Sequence, residues 1–229
     1  MDRRWMLIDG KGEFMSQRKH AVLTQFAAIA DGDLVVEHIT SQKNIGITLS
    51  EFTIKTEVKV WGQACTGHTS TNGINEWFSG LINQPVKLIY MTDDDIRPIK
   101  STRNDIVSFA DGYPVLLTSE ASLSELNGRL DRPVSMTRFR SNIVIDGELP
   151  YEEDGWHELK IGTIKFKVAK VCARCQVINI DQESGLSSQE PLRTLATYRN
   201  VNKGVNFGVN MIPLNTGIIH EGDAVEVVS

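Results

Sequence analysis

Leu159-Lys160-Ile161-Gly162-Thr163-Ile164-Lys165-Phe166-Lys167-Val168 alternates apolar and polar residues on both sides of a glycine turn. A period of two puts Ile164, Phe166 and Val168 on one face, the pattern of a β-hairpin with one buried side. Working outward, the same alternation recurs at residues 5–8, 34–39, 52–60 and 86–91, and Asp9-Gly10-Lys11-Gly12 and Asp31-Gly32-Asp33 supply turns. Further strands are predicted at residues 114–117, 142–145, 177–180, 206–211, 217–220 and 224–228. Helical spacing is limited to residues 74–82, where Trp77, Phe78 and Leu81 share a face, to a segment capped by Ser119 and reaching Leu130, and to a short stretch opened by Glu190-Pro191. The fold class is therefore mainly β with a few short helices. The polar run Asp93-Asp94-Asp95-Ile96-Arg97-Pro98 reads as a linker, dividing residues 1–92 from residues 93–229.

The chain has 229 residues, 41% of them hydrophobic and 23% charged, an ordinary globular composition. A net charge of −5, from 29 acidic and 24 basic residues, argues against general nucleic-acid binding. No apolar run approaches the roughly 18 residues of a membrane span. The first residues lack the apolar core of a signal peptide, and three cysteines, an odd number, suit a reducing compartment better than a disulfide scaffold. The expectation is a cytoplasmic protein.

Cys172-Ala173-Arg174-Cys175 is the sharpest local signal. No second pair or close histidines complete a zinc tetrahedron, and β-branched Val177, Ile178 and Ile180 argue for a strand after the motif instead of the helix that a thioredoxin-like site needs. Two readings stay open: both thiols are small core residues, or Cys175, beside Arg174, is the single soft ligand of a metal brought in by a cofactor. Such a cofactor needs anion-binding groups. Arg138-Phe139-Arg140-Ser141-Asn142 is a basic strand entry that Arg3, Arg4 and Arg199 could join, unless these arginines simply pair with carboxylates. Phe109-Ala110-Asp111-Gly112-Tyr113-Pro114 is a turn where glycine permits close backbone approach. Neither a phosphate-binding glycine loop nor a Gly-x-Ser-x-Gly elbow occurs, so ordinary kinases and hydrolases are excluded.

Taken in order, Asp2-Arg3-Arg4-Trp5-Met6, Phe109-Ala110-Asp111-Gly112-Tyr113-Pro114, Ser119-Glu120-Ala121-Ser122-Leu123, Phe139-Arg140-Ser141-Asn142, Cys172-Ala173-Arg174-Cys175, Glu190-Pro191-Leu192, Phe207-Gly208-Val209-Asn210 and Gly222-Asp223-Ala224-Val225 resemble the MOSC-domain proteins. The likeness is to bacterial YcbX-type proteins and the mitochondrial amidoxime-reducing component. It implies an N-terminal β-barrel domain packed on a MOSC β-barrel, with molybdenum cofactor (molybdopterin carrying molybdenum) between them. It further implies that Cys175 is the catalytic molybdenum ligand, and that Arg3, Asp111, Gly112, Tyr113, Arg140, Asn142, Ala173, Arg174 and Asn210 hold the cofactor. The implied activity is reduction of N-hydroxylated compounds such as amidoximes and hydroxylamino bases. Relatives carry a barrel strand ahead of the Asp2-Arg3 motif, and YcbX-type proteins continue into a ferredoxin-like iron–sulfur domain. This chain has neither, so the first strand is expected to be missing and electrons to come from a separate reductase or ferredoxin-like protein. Pyridoxal phosphate is not implied. Two further classes compete: a non-catalytic cofactor carrier, and a thiol redox protein using Cys172 and Cys175.

Overall fold

A computed structural model describes residues 3–31, 33–71, 73–102 and 104–228. The readings that involve Met1, Asp2 and Gly32 lie outside the described residues. Two compact units divide the chain, the first running to Gly112 with Glu183–Gly185, the second comprising Tyr113–Gln182 and the residues from Leu186 onward.

The first unit strings together β1 (Trp5–Asp9), β2 (Phe26–Asp31), β3 (Asp33–His38), β4 (Lys43–Ile47), β5 (Ile54–Val60), β6 (Gln63–Thr69), α1 (Ile74–Ile82) and β7 (Val86–Tyr90). These make a four-stranded antiparallel sheet in the order β1-β7-β6-β5 and a three-stranded one in the order β2-β3-β4. The predicted period of two is plain in β3, where Leu34, Val36 and His38 are buried while Val35 and Glu37 are exposed. Leu34 and Val36 meet Ile47, Phe78 and Leu88 in one core, and Met6, Ile8, Val58, Val60 and Ile89 form a second. Strands β2, β4 and β6 were not predicted. In β6 the pattern is hidden because a glycine occupies a core position: a Cβ on Gly67 would come within 2.4 Å of Ile89 Cγ2. The polar run from Asp93 to Pro98 packs into this unit, and its Arg97 is only 2% exposed.

The second unit contains β8 (Val115–Ser119), α2 (Glu120–Asn127), β9 (Ile143–Ile145), β10 (Glu158–Ile161), β11 (Ile164–Arg174), α3 (Leu192–Tyr198), β12 (Asn200–Val201), β13 (Gly204–Pro213) and β14 (Val225–Val227). Its sheet runs β14-β10-β11-β13-β8-β9, with β12 paired to β13, and forms a near-closed barrel. Only the β8–β9 pairing is parallel among these described ladders. The hairpin predicted at residues 159–168 is β10–β11, closed at Ile161 opposite Ile164. Leu159, Phe166, Val209 and Met211 fill the core on its buried side. Ser119 caps α2 as predicted, its Oγ accepting the Ser122 N–H at 3.2 Å.

Two predicted strands are absent. Residues 176–179 form a 3-10 turn, because consecutive Ile178 and Asn179 are both buried, which a one-sided strand cannot achieve. Ile178 enters the core with Phe139, Phe207 and Leu195, while Asn179 Oδ1 accepts the Leu192 N–H at 3.0 Å. Residues 217–220 run irregularly into a turn in which His220 N donates to Asp223 Oδ2 and Asp223 N to the His220 carbonyl.

Candidate functional site

In the second unit β11 ends at Arg174, and Cys175 follows in extended backbone at the head of the 3-10 turn. Cys172 and Cys175 are half-buried and share no disulfide. The Arg174 guanidinium donates through Nη1 to Cys172 Sγ at 3.2 Å and through Nη2 to the Phe139 carbonyl at 2.7 Å. Phe139 is fixed in turn by stacking on Phe207, with ring centroids 4.0 Å apart, both rings being fully buried. The third donor, Arg174 Nε, is buried without a hydrogen-bond partner among the described residues. An unpartnered guanidinium donor is costly unless something accepts from it.

Strand pairing brings a second set of groups together. Asn142 is tied to β8 twice: its Oδ1 accepts the Leu116 N–H, and its own N–H donates to the Leu116 carbonyl, each at 2.9 Å. Leu116 pairs with Asn210 of β13, and Asn210 with Lys170 of β11. Lys170 Nζ lies 5.2 Å from the centroid of the Tyr113 ring. Asn210 and Lys170 thus pair across two strands of one sheet, while Asn142, just ahead of β9, is held on Leu116 and Tyr113, just ahead of β8, lies by the Lys170 ammonium. Arg140 precedes Asn142 by two positions, exposed and in the left-handed region (φ 55°) at the end of a 3-10 turn over Met136–Phe139. Ala173 is exposed and pairs with Asn206.

Sequence reasoning missed Lys170. Reading the alternation straight on from Ile164, Phe166 and Val168 puts residue 170 on the buried face. A β-bulge intervenes: Val168 pairs with Met211 and Lys170 with the adjacent Asn210, which leaves Ala169 as an extra residue. Lys170 is thereby turned outward, and it is exposed.

Several arginines of the expected basic cluster serve other roles. Arg4 pairs with Asp93 at 2.6 Å, Arg138 with Asp181 at 2.8 Å, and Arg199 with Asp154 while lying 3.9 Å from the Tyr151 ring centroid. Each is neutralised by a carboxylate, the alternative that spacing left open. In the first unit, Arg3 accepts the Phe109 N–H on its carbonyl at 2.9 Å, which ties it to the loop carrying Asp111 and Gly112. Asp111 Oδ1 accepts Trp61 Nε1–H at 2.8 Å, and Arg18 lies 3.8 Å from Oδ2.

No group of three or more His, Cys, Asp or Glu among the described residues is arranged to hold a metal ion. A metal that arrives on an organic anion needs no such group, only one soft protein ligand and donors for its phosphate. Cys175, the unpartnered Arg174 Nε, the cations of Arg140 and Lys170, and the amides of Asn142 and Asn210 fit that requirement.

The two β units are those of a MOSC-class protein, and the chain belongs to the MOSC domain family. The family's MOSC domain matches residues 104–226, and its MOSC N-terminal beta barrel domain matches residues 1–85. Among relatives, the chain is 35% identical to a molybdenum cofactor sulfurase of Oryza sativa over 97% of this chain but only 30% of that protein. It is 30% identical to mitochondrial amidoxime-reducing component 1 of Homo sapiens, over 98% of this chain and 72% of that protein, and 30% identical to the Mus musculus protein of the same name, over 98% and 71%. A crystal structure of YiiM from Geobacillus stearothermophilus covers 80% of this chain and 75% of its own with a TM-score of 0.40 at 13% identity.

These relatives overturn the cytoplasmic expectation, since the amidoxime-reducing components are mitochondrial by name. An odd number of thiols speaks to redox conditions that more than one compartment meets, and the opening residues do not assign one. No helix among the described residues is long and apolar enough to cross a membrane.

Proposed function

We propose that this chain binds molybdenum cofactor through Cys175 and reduces N-hydroxylated compounds, with electrons delivered by a separate reductase or ferredoxin-like protein. The observation that carries the reading is the buried Arg174 Nε without an acceptor among the described residues, on the residue that precedes Cys175 at the end of the strand β11 that also carries Lys170 and pairs it with Asn210. Relatives named for amidoxime reduction match over about seven tenths of their length, which supports the same assignment. Bound there, the cofactor supplies two-electron cleavage of an N–O bond: R–NHOH with two electrons and two protons becomes R–NH2 and water.

The chain's own residues take definite parts. Cys175 offers a soft thiolate ligand. Arg140 and Lys170 offset the phosphate charge, the Arg140 fork giving two-point contact and the Lys170 ammonium a point charge. Asn142 and Asn210 present amides, the first held by its two hydrogen bonds to Leu116 and the second by strand pairing, and Tyr113, half-buried, packs beside Lys170. Arg174 faces the cofactor with Nε while its other nitrogens anchor it to Phe139 and Cys172. Arg3, Asp111, Gly112 and Ala173 complete the proposed holding set.

The test is expression in a cofactor-competent host. The expected result is about one molybdenum per chain and amidoxime reduction with an artificial electron donor, both lost in Cys175→Ser. Full activity in that variant would sink the proposal. A second reading, a cofactor carrier without turnover, is favoured by the match to a module that makes up 30% of the rice sulfurase. Bound pterin without reductase activity under any donor would select it.

A further inference from the structure

Asp111 poses a difficulty for any anion-holding role, because a carboxylate repels a phosphate. Its side chain is, however, already occupied by Trp61 and Arg18. What the turn has left to offer is backbone, and the orientation of that backbone is set by Arg97. This guanidinium, 2% exposed, donates through Nη1 to the carbonyls of Ser108 at 2.7 Å and Ala110 at 2.6 Å, through Nη2 to that of Asp111 at 3.5 Å, and through Nε to Gln63 Oε1 at 3.2 Å. No carboxylate among the described residues bonds to it. Burial pulls its pKa below the ordinary arginine value, with the charges of Cys65 and Asp111 opposing. A buried cation held by backbone carbonyls is a costly arrangement to keep unless it fixes something.

In a trans peptide the C=O and the N–H point in opposite directions. The only cis bond among the described residues is Glu190–Pro191, so the peptides of this turn are trans. With the carbonyls of Ser108, Ala110 and Asp111 drawn to Arg97, the N–H groups of Phe109, Asp111 and Gly112 face away from it. That of Phe109 is taken by the Arg3 carbonyl. No hydrogen bond among the described residues takes the other two, and a Cβ added to Gly112 would meet nothing within 4 Å. Two successive outward N–H groups beside open space make a small anion-binding concavity.

We infer that Arg97 is a positioning residue: by gathering the carbonyls of Ser108, Ala110 and Asp111 it leaves the Asp111 and Gly112 amides turned outward as donors for an anionic group of the cofactor. The inference rests on the proposed cofactor binding and specifies that Asp111 contributes through its backbone.

Two measurements test it on the 229-residue chain. In Arg97→Lys, which keeps the charge but cannot span separate carbonyls, molybdenum and pterin should dissociate about tenfold faster or more, since one anion–amide bond is lost. The melting temperature of the apo-protein separates this from simple unfolding, because a merely structural role moves stability and release together. Hydrogen exchange on the wild type needs no variant: the Asp111 and Gly112 amides should exchange quickly without cofactor and become protected on loading, with Phe109 protected in both states. Unchanged exchange at 111 and 112, or wild-type release from a folded Arg97→Lys, overturns the inference while leaving cofactor binding intact. A wild-type chain that takes up no cofactor overturns both.

Discussion

Replacing Gly208 by alanine should separate the two strands that align the amides of the site. Gly208 sits in β13 with φ +74°, next to Val209 and the second register shift of β11 against β13, and a Cβ there would come within 2.5 Å of the Leu117 carbonyl oxygen and 2.7 Å of Thr118 Cγ2. The left-handed backbone costs a residue with a side chain about 1–2 kcal/mol, and overpacking against an interior strand about 1–3 kcal/mol. A loss of about 2–5 kcal/mol is thus expected, a large part of an ordinary domain's stability. The clash is with backbone of β8, so relief has to come from moving β8 off β13. Leu117 pairs with Val209, and Leu116 pairs with Asn210 while holding Asn142. The variant should therefore lose cofactor even at temperatures where it remains folded. Urea unfolding by circular dichroism, with molybdenum content measured on the folded fraction, reads both effects. A midpoint shift worth less than about 0.5 kcal/mol together with full cofactor content would refute the reasoning.

Arg140→Met should speed cofactor release, whereas Arg138→Met, which loses an ion pair to Asp181 and a hydrogen bond to the Asn179 carbonyl, should cost about 1–3 kcal/mol of stability and leave release from the folded protein unchanged; equal release from both would show that Arg140 has no special part. Lys170→Met should weaken retention without shifting the melting temperature, since the side chain is exposed, and a stability loss without faster release would count against its role. Glu153 is 0% exposed, and burial raises its pKa, with hydrogen bonds from its own backbone and Ser122 opposing and Asp154 adding to the rise. Because the folded value lies above the unfolded one, its contribution is complete below about pH 4.5 and is lost as pH climbs through the raised value. Glu153→Gln should flatten that fall, and melting curves that stay parallel to the wild type across the range would contradict it.

What sequence reading could reach depended on how local the cause was. The β10–β11 hairpin, the Ser119 cap and α1 follow from residues within a few positions of one another, and each forms as read. The 3-10 turn over Gln176–Asn179 was hidden because β-branched composition says nothing about two adjacent residues both being buried. The partners of Arg4, Arg138 and Arg199 lie 89, 43 and 45 positions away, so no spacing rule could tell that carboxylates take these three cations. Arg97 was disguised more thoroughly still, as one charge in a polar run of a kind that usually lies in solvent.

The extra residue at Ala169 means that chain length, as well as residue type, decides which groups face which way downstream. Deleting that one residue between Val168 and Lys170 would restore even alternation and exchange inside for outside at the ammonium. Anyone transplanting the Cys-Ala-Arg-Cys strand end onto another barrel must carry the irregularity with it, because the same letters on a regular strand would present a different surface.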